Sequence, residues 1–435
     1  MNIYSHSSPL LPLPLLPLPL QLQLQLQPPP SPSRSFSLLL LLLLLLLLLL
    51  LIPPLPTTMA HLLNIPLEVL LQITSYLTTP EYGYLRSTCK RLEALLFGAF
   101  AKEFFSKRQF ALVEFSIQAL VDIAKSRLGP SLTHLIIHLE HPHNTLVVSN
   151  LRYAAVSHNQ YLAECLNHVE FISTGLDVEM LSEAIRHLPN LETIGMRDFH
   201  SKNRIRDDTV WNSYGCPEFV RKTNCALIIP SGPEYTRHVF LTILRALGNA
   251  AVSSCNPKIT RLEVLLHSCQ FPEQAFKIPD HLDDRISLVL SKLTTIFLDN
   301  LSEDTHPVAV RDVCGKTEPT AGVGFFLSRF LAKAPALEEL RLNFQSYHHP
   351  NSIPRVLGWL ADVRHDRTDP AAKPVDSLGL ANASDSVPTH FPPAPNFPKL
   401  KALEIGMAHV RESDLLALYK RYKSTLRNRP QSRNI

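Results

Sequence analysis

The chain has 435 residues, 45% hydrophobic and 18% charged, with 14 Gly against 36 Pro and a formal charge of only +4. That length accommodates two or three domains, and the charge balance carries no signature of a nucleic-acid or membrane-surface partner. Seven cysteines, odd in number, widely spaced and without a C-x-x-C pair, point to neither a disulfide framework nor a zinc ribbon; they fit a reducing compartment, cytoplasm or nucleus.

Residues 1–58 hold 12 of the prolines and 25 leucines, with Arg34 as their single Lys or Arg and no acidic residue. An L-P alternation, a Q-L alternation and 14 consecutive leucines from Leu38 to Leu51 read as a low-complexity segment, disordered or untranslated. As a helix, Leu38 to Ile52 would span roughly 22 Å, short of the roughly 30 Å hydrocarbon core. The stretch has the length of a signal-peptide core, but its lead is long, its basic region is one Arg, and no small-x-small cleavage site follows. An in-frame Met59 stands just before the first well-marked helix, so translation is expected to start there, and no membrane partner is expected.

From 59 to 112 the pattern turns helical. Asn64 is placed to cap a helix, Pro66 fits its first turn, and Glu68 lies close to the positive helix N-terminus. Leu67, Leu70, Ile73 or Thr74, and Leu77 recur at three- and four-residue steps, an apolar stripe that one short helix cannot bury alone. Thr78-Thr79-Pro80 breaks the helix, and Glu81 to Leu96 supplies two more short helical stretches. Phe97, Phe100, Phe104, Phe105 and Phe110 predict an aromatic-rich helix running on towards Phe115.

The run Ile65-Pro66-x-Glu68-Val69-Leu70-x-x-Ile73-x-x-Tyr76-Leu77, followed by Tyr84-Leu85-Arg86-x-Thr88-Cys89-Lys90-Arg91-Leu92, resembles an F-box, in the form common in fungal proteins. Ile65 stands where Leu is usual, and Pro80-Glu81-Tyr82 replaces the usual Asp-Leu. The resemblance implies a three-helix module that docks on the Skp-type adaptor of a cullin ubiquitin ligase. Carried over by position, the adaptor-binding residues are Pro66, Leu67, Val69, Leu70, Ile73, Leu77, Leu85 and Leu92.

Between 113 and 426 one spacing recurs, an aliphatic residue with others at +3 and +5. It occurs at Leu132/Leu135/Ile137, Leu166/Val169/Phe171, Leu191/Ile194/Met196, Ile259/Leu262/Val264, Leu293/Ile296/Leu298, Leu337/Leu340/Leu342 and Leu400/Leu403/Ile405. The +3/+5 alternation suits a short strand with one face inward. Helical stretches intervene at Glu179 to Leu188, Glu234 to Ala251, Gly324 to Ala334 and Asp414 to Tyr422. The whole resembles an irregular leucine-rich-repeat solenoid, giving an α/β chain in which the F-box-like helices precede a repeat sheet. The outward residues would form a target-binding concave face, among them His134, His138, Glu170, Arg197, Arg261, Glu263, Phe297, Asp299, Glu339 and Arg341. Inserts are expected near 199–233, 300–322 and 346–397, the last as a flexible loop rich in Pro, Ser and Asp. Residues 427–435 make a basic tail, and the last repeat reads as truncated.

No P-loop, G-x-S-x-G, H-E-x-x-H or dinucleotide signature occurs, so neither catalysis nor a cofactor is expected. His134, His138, His141 and His143 cluster in sequence, and His134 and His138 share a strand face. With no Cys or carboxylate pair close in sequence, a solvated strand end is expected rather than a metal site. The sequence therefore reads as a non-catalytic substrate receptor that binds a Skp-type adaptor, its cullin complex and an unidentified target protein. Two other readings are open: a leucine-rich-repeat scaffold outside ubiquitination, and a repeat protein tethered to a membrane through the poly-Leu stretch.

Overall fold

The computed structural model describes residues 62–143, 155–200, 206, 211–230, 232–252, 258–302, 324–344, 355–362, 392–408 and 410–426. The low-complexity segment with its poly-Leu stretch, Met59, the basic tail and most of the inserts near 300–322 and 346–397 lie outside these residues. The chain divides into two units, Met1–Ile65 and Pro66–Ile435. In the first, Leu62–Asn64 form a 3-10 turn, so Asn64 does not cap a helix. All other elements belong to the second.

Pro66, in extended conformation, caps α1 (Leu67–Thr74) and accepts the Leu70 N–H through its carbonyl at 3.0 Å. Thr78 opens α2 (Thr79–Ser87) with a capping box, its N–H and hydroxyl each donating to Glu81 Oε2 at 2.8 Å, and Pro80 sits in the first turn, where its missing N–H costs nothing. Cys89 caps α3 (Lys90–Phe105). Leu70, Tyr82, Leu92, Leu96, Ala101 and Phe104 are buried, and Tyr82, Phe100 and Phe104 pack ring against ring with centroids 5.0–6.1 Å apart. The aromatic-rich helix ends at Phe105, earlier than the sequence suggests: Lys107–Ala111 is a strand, β1.

From β1 onward the chain builds one eight-stranded sheet. Its other strands are β2 (His134–His138), β3 (Thr193–Arg197), β4 (Arg261–Leu265), β5 (Phe271–Pro272), β6 (Thr295–Ser302), β7 (Glu339–Phe344) and β8 (Ala402–Gly406). Strands β1, β2, β3, β4, β6, β7 and β8 lie side by side in chain order, all parallel, and β5 also pairs with β6. Parallel neighbours need a crossover. These contain α4 (Glu114–Lys125), α5 (Ala155–Ser173), α6 (Leu176–Arg186), α7 (Cys216–Thr223), α8 (Pro233–Ala251), α9 (Asp280–Leu290), α10 (Phe325–Ala332) and α11 (Arg355–Leu360), and α12 (Glu412–Tyr422) follows β8.

Six of the seven aliphatic triads fall on these strands. At each strand entry one carbonyl accepts two successive N–H groups of the next strand: Ser106 takes Thr133 and His134, and the ladder continues through the carbonyls of Thr133, Glu192, Thr260, Thr294 and Glu338, at 2.7–3.1 Å. The entry residues Leu132, Leu191, Ile259, Leu293, Leu337 and Leu400 are buried, as are the inward pairs from Leu135/Ile137 to Leu340/Leu342, in one core shared with α4, α6, α8, α9, α10, α11 and α12. Gly195 in β3 lies where a Cβ would meet the Glu263 carbonyl oxygen at 2.3 Å, so β4 can approach only a glycine there.

The seventh triad, Leu166/Val169/Phe171, is helical, in α5. Leu166 and Val169 are exposed, while Tyr161, Cys165, His168 and Phe171 face inward at helical steps. Described parts of the insert near 199–233 are also structured: Tyr214 exchanges backbone hydrogen bonds with Gln109 and Ala111, covering that part of the outer edge of β1, and α7 packs Cys216 and Phe219 beside Tyr161 and Cys165. Within the expected flexible loop, α11 buries Val356, Leu357, Trp359 and Leu360. Asp198 ends β3 by accepting the backbone N–H groups of His267, Ser268 and Cys269 at 2.6–2.8 Å, which fixes the turn after β4. Among the described residues no helix is long and apolar enough to cross a membrane.

His168 is buried among His141, Tyr235 and Phe171, with Asp177 and His238 as the nearby charged or titratable groups. Burial, and then the neighbouring His141 and His238, lower its pKa from 6.5 to about 3. The unfolded chain therefore binds a proton at this ring below pH 6.5 that the folded chain refuses. Its contribution to stability is full above that pH and is lost as the pH falls towards 3. At about pH 5 the loss amounts to about 2 kcal/mol, at roughly 1.4 kcal/mol per pH unit. Melting temperatures of His168→Leu and the parent should diverge between about pH 7.5 and 5, the variant falling less; parallel curves would contradict the assignment.

Candidate functional site

Helix α1 has two apolar sides. Leu70 and Thr74 turn into the bundle, whereas Val69 and Ile73, one turn apart, are 45% and 39% exposed, and Tyr76 just beyond the helix is 74% exposed. Leu67, Tyr84 on α2 and Leu95 on α3 add exposed apolar surface. Such a set on a small helical module marks an interaction site. Of the residues expected to face an adaptor, Leu70 and Leu92 instead form the bundle's core, Leu77 and Leu85 are half-buried, and Pro66, Leu67, Val69 and Ile73 are exposed. Tyr76, Tyr84 and Leu95 join the exposed set without having been expected there.

Two polar clamps hold the bundle to the sheet. Arg206, from the insert after β3, makes a forked ion pair with Glu103 at 2.8 and 2.9 Å, donates to the carbonyls of Thr74 and Leu77 at the end of α1, and covers the Tyr82 ring. Glu93 on α3 joins Arg86 at 3.1 Å to Arg127, which follows α4 and lies over the Phe97 ring. Forked arginine–carboxylate pairs fix orientation as well as distance.

The strand register places the expected target-facing residues in rows on the sheet face away from the helices. One row runs Lys107, His134, Thr193, Arg261, Thr295, Glu339, Ala402; the next runs Gln109, Ile136, Gly195, Glu263, Phe297, Arg341, Glu404. Glu263 is the hub: Arg261 Nε lies 2.6 Å from it, Arg197 3.8 Å, and His134 Nε2 3.4 Å. Burial, then the cations of Lys107, Arg197 and Arg261, push the His134 pKa down to about 3, so that ring is neutral near pH 7. Phe297 lies between two guanidinium groups, Arg261 at 4.5 Å and Arg341 at 6.0 Å from its centroid, and Arg341 pairs with Asp299 at 3.2 Å.

Several expectations need correction. Glu170 is on α5, not on the sheet, where it lines a cleft of about 430 Å³ with Glu114 and Glu179. His138, Glu263 and Asp299 are buried, while His134, Arg197, Arg261, Phe297, Glu339 and Arg341 are half-buried and reach the face. The four neighbouring histidines do not converge: His134 joins Glu263, His141 stacks on Tyr235 at 3.7 Å with His143 edge-on to it, and His138 stacks on His200. His138 is no solvated strand end.

Replacing Glu263 by Gln removes the carboxylate that, among the described residues, pairs with Arg197, Arg261 and His134. Breaking a nearly buried ion cluster from one side is costly. Glu263→Gln should lose about 2 kcal/mol in urea denaturation with an unchanged slope; an unaltered midpoint would remove Glu263 as the hub.

Residues 62–96, which span α1, α2 and the first turns of α3, match the F-box domain family, whose domains bind Skp-type adaptors in cullin complexes. Among curated proteins none matches this chain. Proteins that carry an F-box are typically non-catalytic adaptors, and the domain points generally to the substrate-receptor role of an SCF-type ligase.

Proposed function

We propose that this chain is a substrate receptor of a cullin-based, SCF-type ubiquitin ligase, with α1–α3 docking on a Skp-type adaptor and the sheet face holding a target protein. The observation that carries the reading is the coincidence of the F-box match with the exposed apolar stripe Val69, Ile73 and Tyr76. We read residues 113–426 as an irregular leucine-rich-repeat solenoid of the kind that follows the F-box in fungal proteins. Its support is the strand order, the shared entry hydrogen bond and the aligned rows of one face. A receptor of this kind acts through orientation and effective concentration, not through chemistry of its own. The Arg206 and Arg127 clamps suit that task, because they tie the adaptor-facing helices to the target-facing sheet. The place of action on this reading is cytoplasm or nucleus, with no nucleic acid, membrane or catalytic cofactor involved.

The test is co-purification of the full chain with the Skp-type adaptor of the same organism, beside Val69→Asp/Ile73→Asp. Both substitutions lie on the exposed stripe and should leave circular dichroism unchanged while weakening adaptor binding by at least about 100-fold. Leu70→Asp, by contrast, places a charge in the bundle core and should unfold the module. A folded parent that binds no adaptor would defeat the receptor reading and leave a repeat scaffold as the better account.

A further inference from the structure

At the carboxyl ends of β2 and β3 a polar corner gathers residues that neither surface uses. His138, the last residue of β2, is 0% exposed; Glu140 stands two residues on; His200 follows β3 by three residues; and Cys216 opens α7. One ring nitrogen of each histidine and a carboxylate oxygen of Glu140 lie within 4.8 Å of one another. Glu140 is the bridge, with Oε2 3.5 Å from His138 Nδ1 and 3.3 Å from Cys216 Sγ, and Oε1 3.2 Å from His200 Nε2.

The hydrogen bonding of this corner does not close. The backbone N–H of Glu140 donates to His138 Nδ1 at 3.4 Å, so that nitrogen bears a lone pair, and the same lone pair faces the Glu140 carboxylate. A proton on Nδ1 would only move the conflict to the backbone N–H. Among the described residues His138 Nε2 has no hydrogen-bond partner in either tautomer, nor has His200 Nδ1. Mismatched buried polar atoms are costly and mark places where a further group belongs.

A cation at His138 Nδ1 answers the carboxylate that faces this nitrogen, at the cost of the 3.4 Å contact from the Glu140 N–H, and it requires the stacked rings of His138 and His200 to turn so that both nitrogens reach it. Nitrogen and oxygen ligands bonded at about 2.0–2.1 Å in a tetrahedron stand about 3.3 Å apart, beside the 3.2 Å from His200 Nε2 to Glu140 Oε1 and the 3.5 Å from His138 Nδ1 to Oε2. Two imidazoles, a carboxylate and a thiol select a borderline divalent ion over Mg²⁺ or Ca²⁺. Nearby Asp198 is already committed to three backbone N–H groups. We propose that His138, Glu140 and His200 form a zinc site, with Cys216 placed to supply the fourth ligand as a thiolate. One carboxylate and one thiolate balance the dication, and four protein ligands make the site structural. It joins the end of β2, the segment after β3 and the first turn of α7, and it is independent of the receptor reading.

The test uses the full chain, stripped with chelator and titrated with Zn²⁺, and in parallel with Co²⁺, whose visible bands report tetrahedral geometry and whose near-ultraviolet band reports sulfur ligation. One equivalent should bind, and Zn²⁺ should raise the melting temperature by several degrees through mass action. His200→Ala alters a side chain outside the strands and helices; with its metal-free melting transition retained, it should weaken binding at least about tenfold and abolish the Zn²⁺-dependent stabilisation. Glu140→Gln should do the same. Cys216→Ser should keep the ion but lose the sulfur band; an unchanged band would overturn the fourth-ligand assignment. Equal uptake and equal stabilisation in the parent, His200→Ala and Glu140→Gln would place any bound metal elsewhere among the remaining histidines and overturn the site.

Discussion

One hydrogen-bonding device, a single carbonyl receiving two successive N–H groups of the next strand, recurs at six strand entries and sets the register of the sheet. Parallel strands cannot be joined by tight hairpins, so each must be followed by a crossover, and each crossover must return to the same entry position. A slip of one residue would turn the inward aliphatic residues of a strand to the opposite face and expose the core they share with the helices. The carbonyl ladder and the buried entry residue, Leu132 in β2 and its counterparts up to Leu400 before β8, act together against that slip. The rows of the open face, Lys107 to Ala402 and Gln109 to Glu404, follow from it.

Register alone does not decide how the helical module sits. Here the insert after β3 matters, since Arg206 reaches from it to the C-terminal end of α1 and to α3, while Arg127 reaches α3 from the segment after α4. Both clamps pair an arginine with a carboxylate beside an aromatic ring; the Arg206 side chain is largely covered there, whereas that of Arg127 stays exposed. Under the receptor reading, a connection of this kind converts a binding surface at one end into a defined position at the other.

Most of the sheet was legible in the sequence because six strands carry an inward aliphatic pair two residues apart behind an aliphatic entry residue. The failure at Leu166/Val169/Phe171 is instructive. The buried period there runs through Tyr161, Cys165 and His168, residues that an aliphatic pattern passes over. Strand β1 was missed for the opposite reason, since Lys107, Arg108 and Gln109 offer no aliphatic residue and one edge of the strand is finished by Tyr214, over a hundred residues later. Helix α11 was hidden by the composition around it, although Val356, Leu357, Trp359 and Leu360 form an apolar run. On α1 periodicity identified one apolar stripe, which the structure divides: Leu70 turns into the core while Leu67 and Ile73 stay exposed. The closeness of Glu140 to His200 and Cys216 depends on β2 and β3 being neighbours, which no local pattern encodes.

The open face carries charges that are already engaged. Neighbouring strands bring like rows within about 5 Å, so Glu263 serves Arg261, Arg197 and His134 at once, and Asp299 serves Arg341. A charged group approaching from solvent meets pairs rather than free ions, and breaking one pair leaves its buried half uncompensated. Under the receptor reading, selectivity on such a face would rest less on net charge than on what can share these ions without displacing them. The half-buried layer of Arg261, Phe297 and Arg341 fits that requirement: its guanidinium groups keep donors to spare beyond their carboxylates, and the ring between them offers an apolar surface whose neighbours are already satisfied.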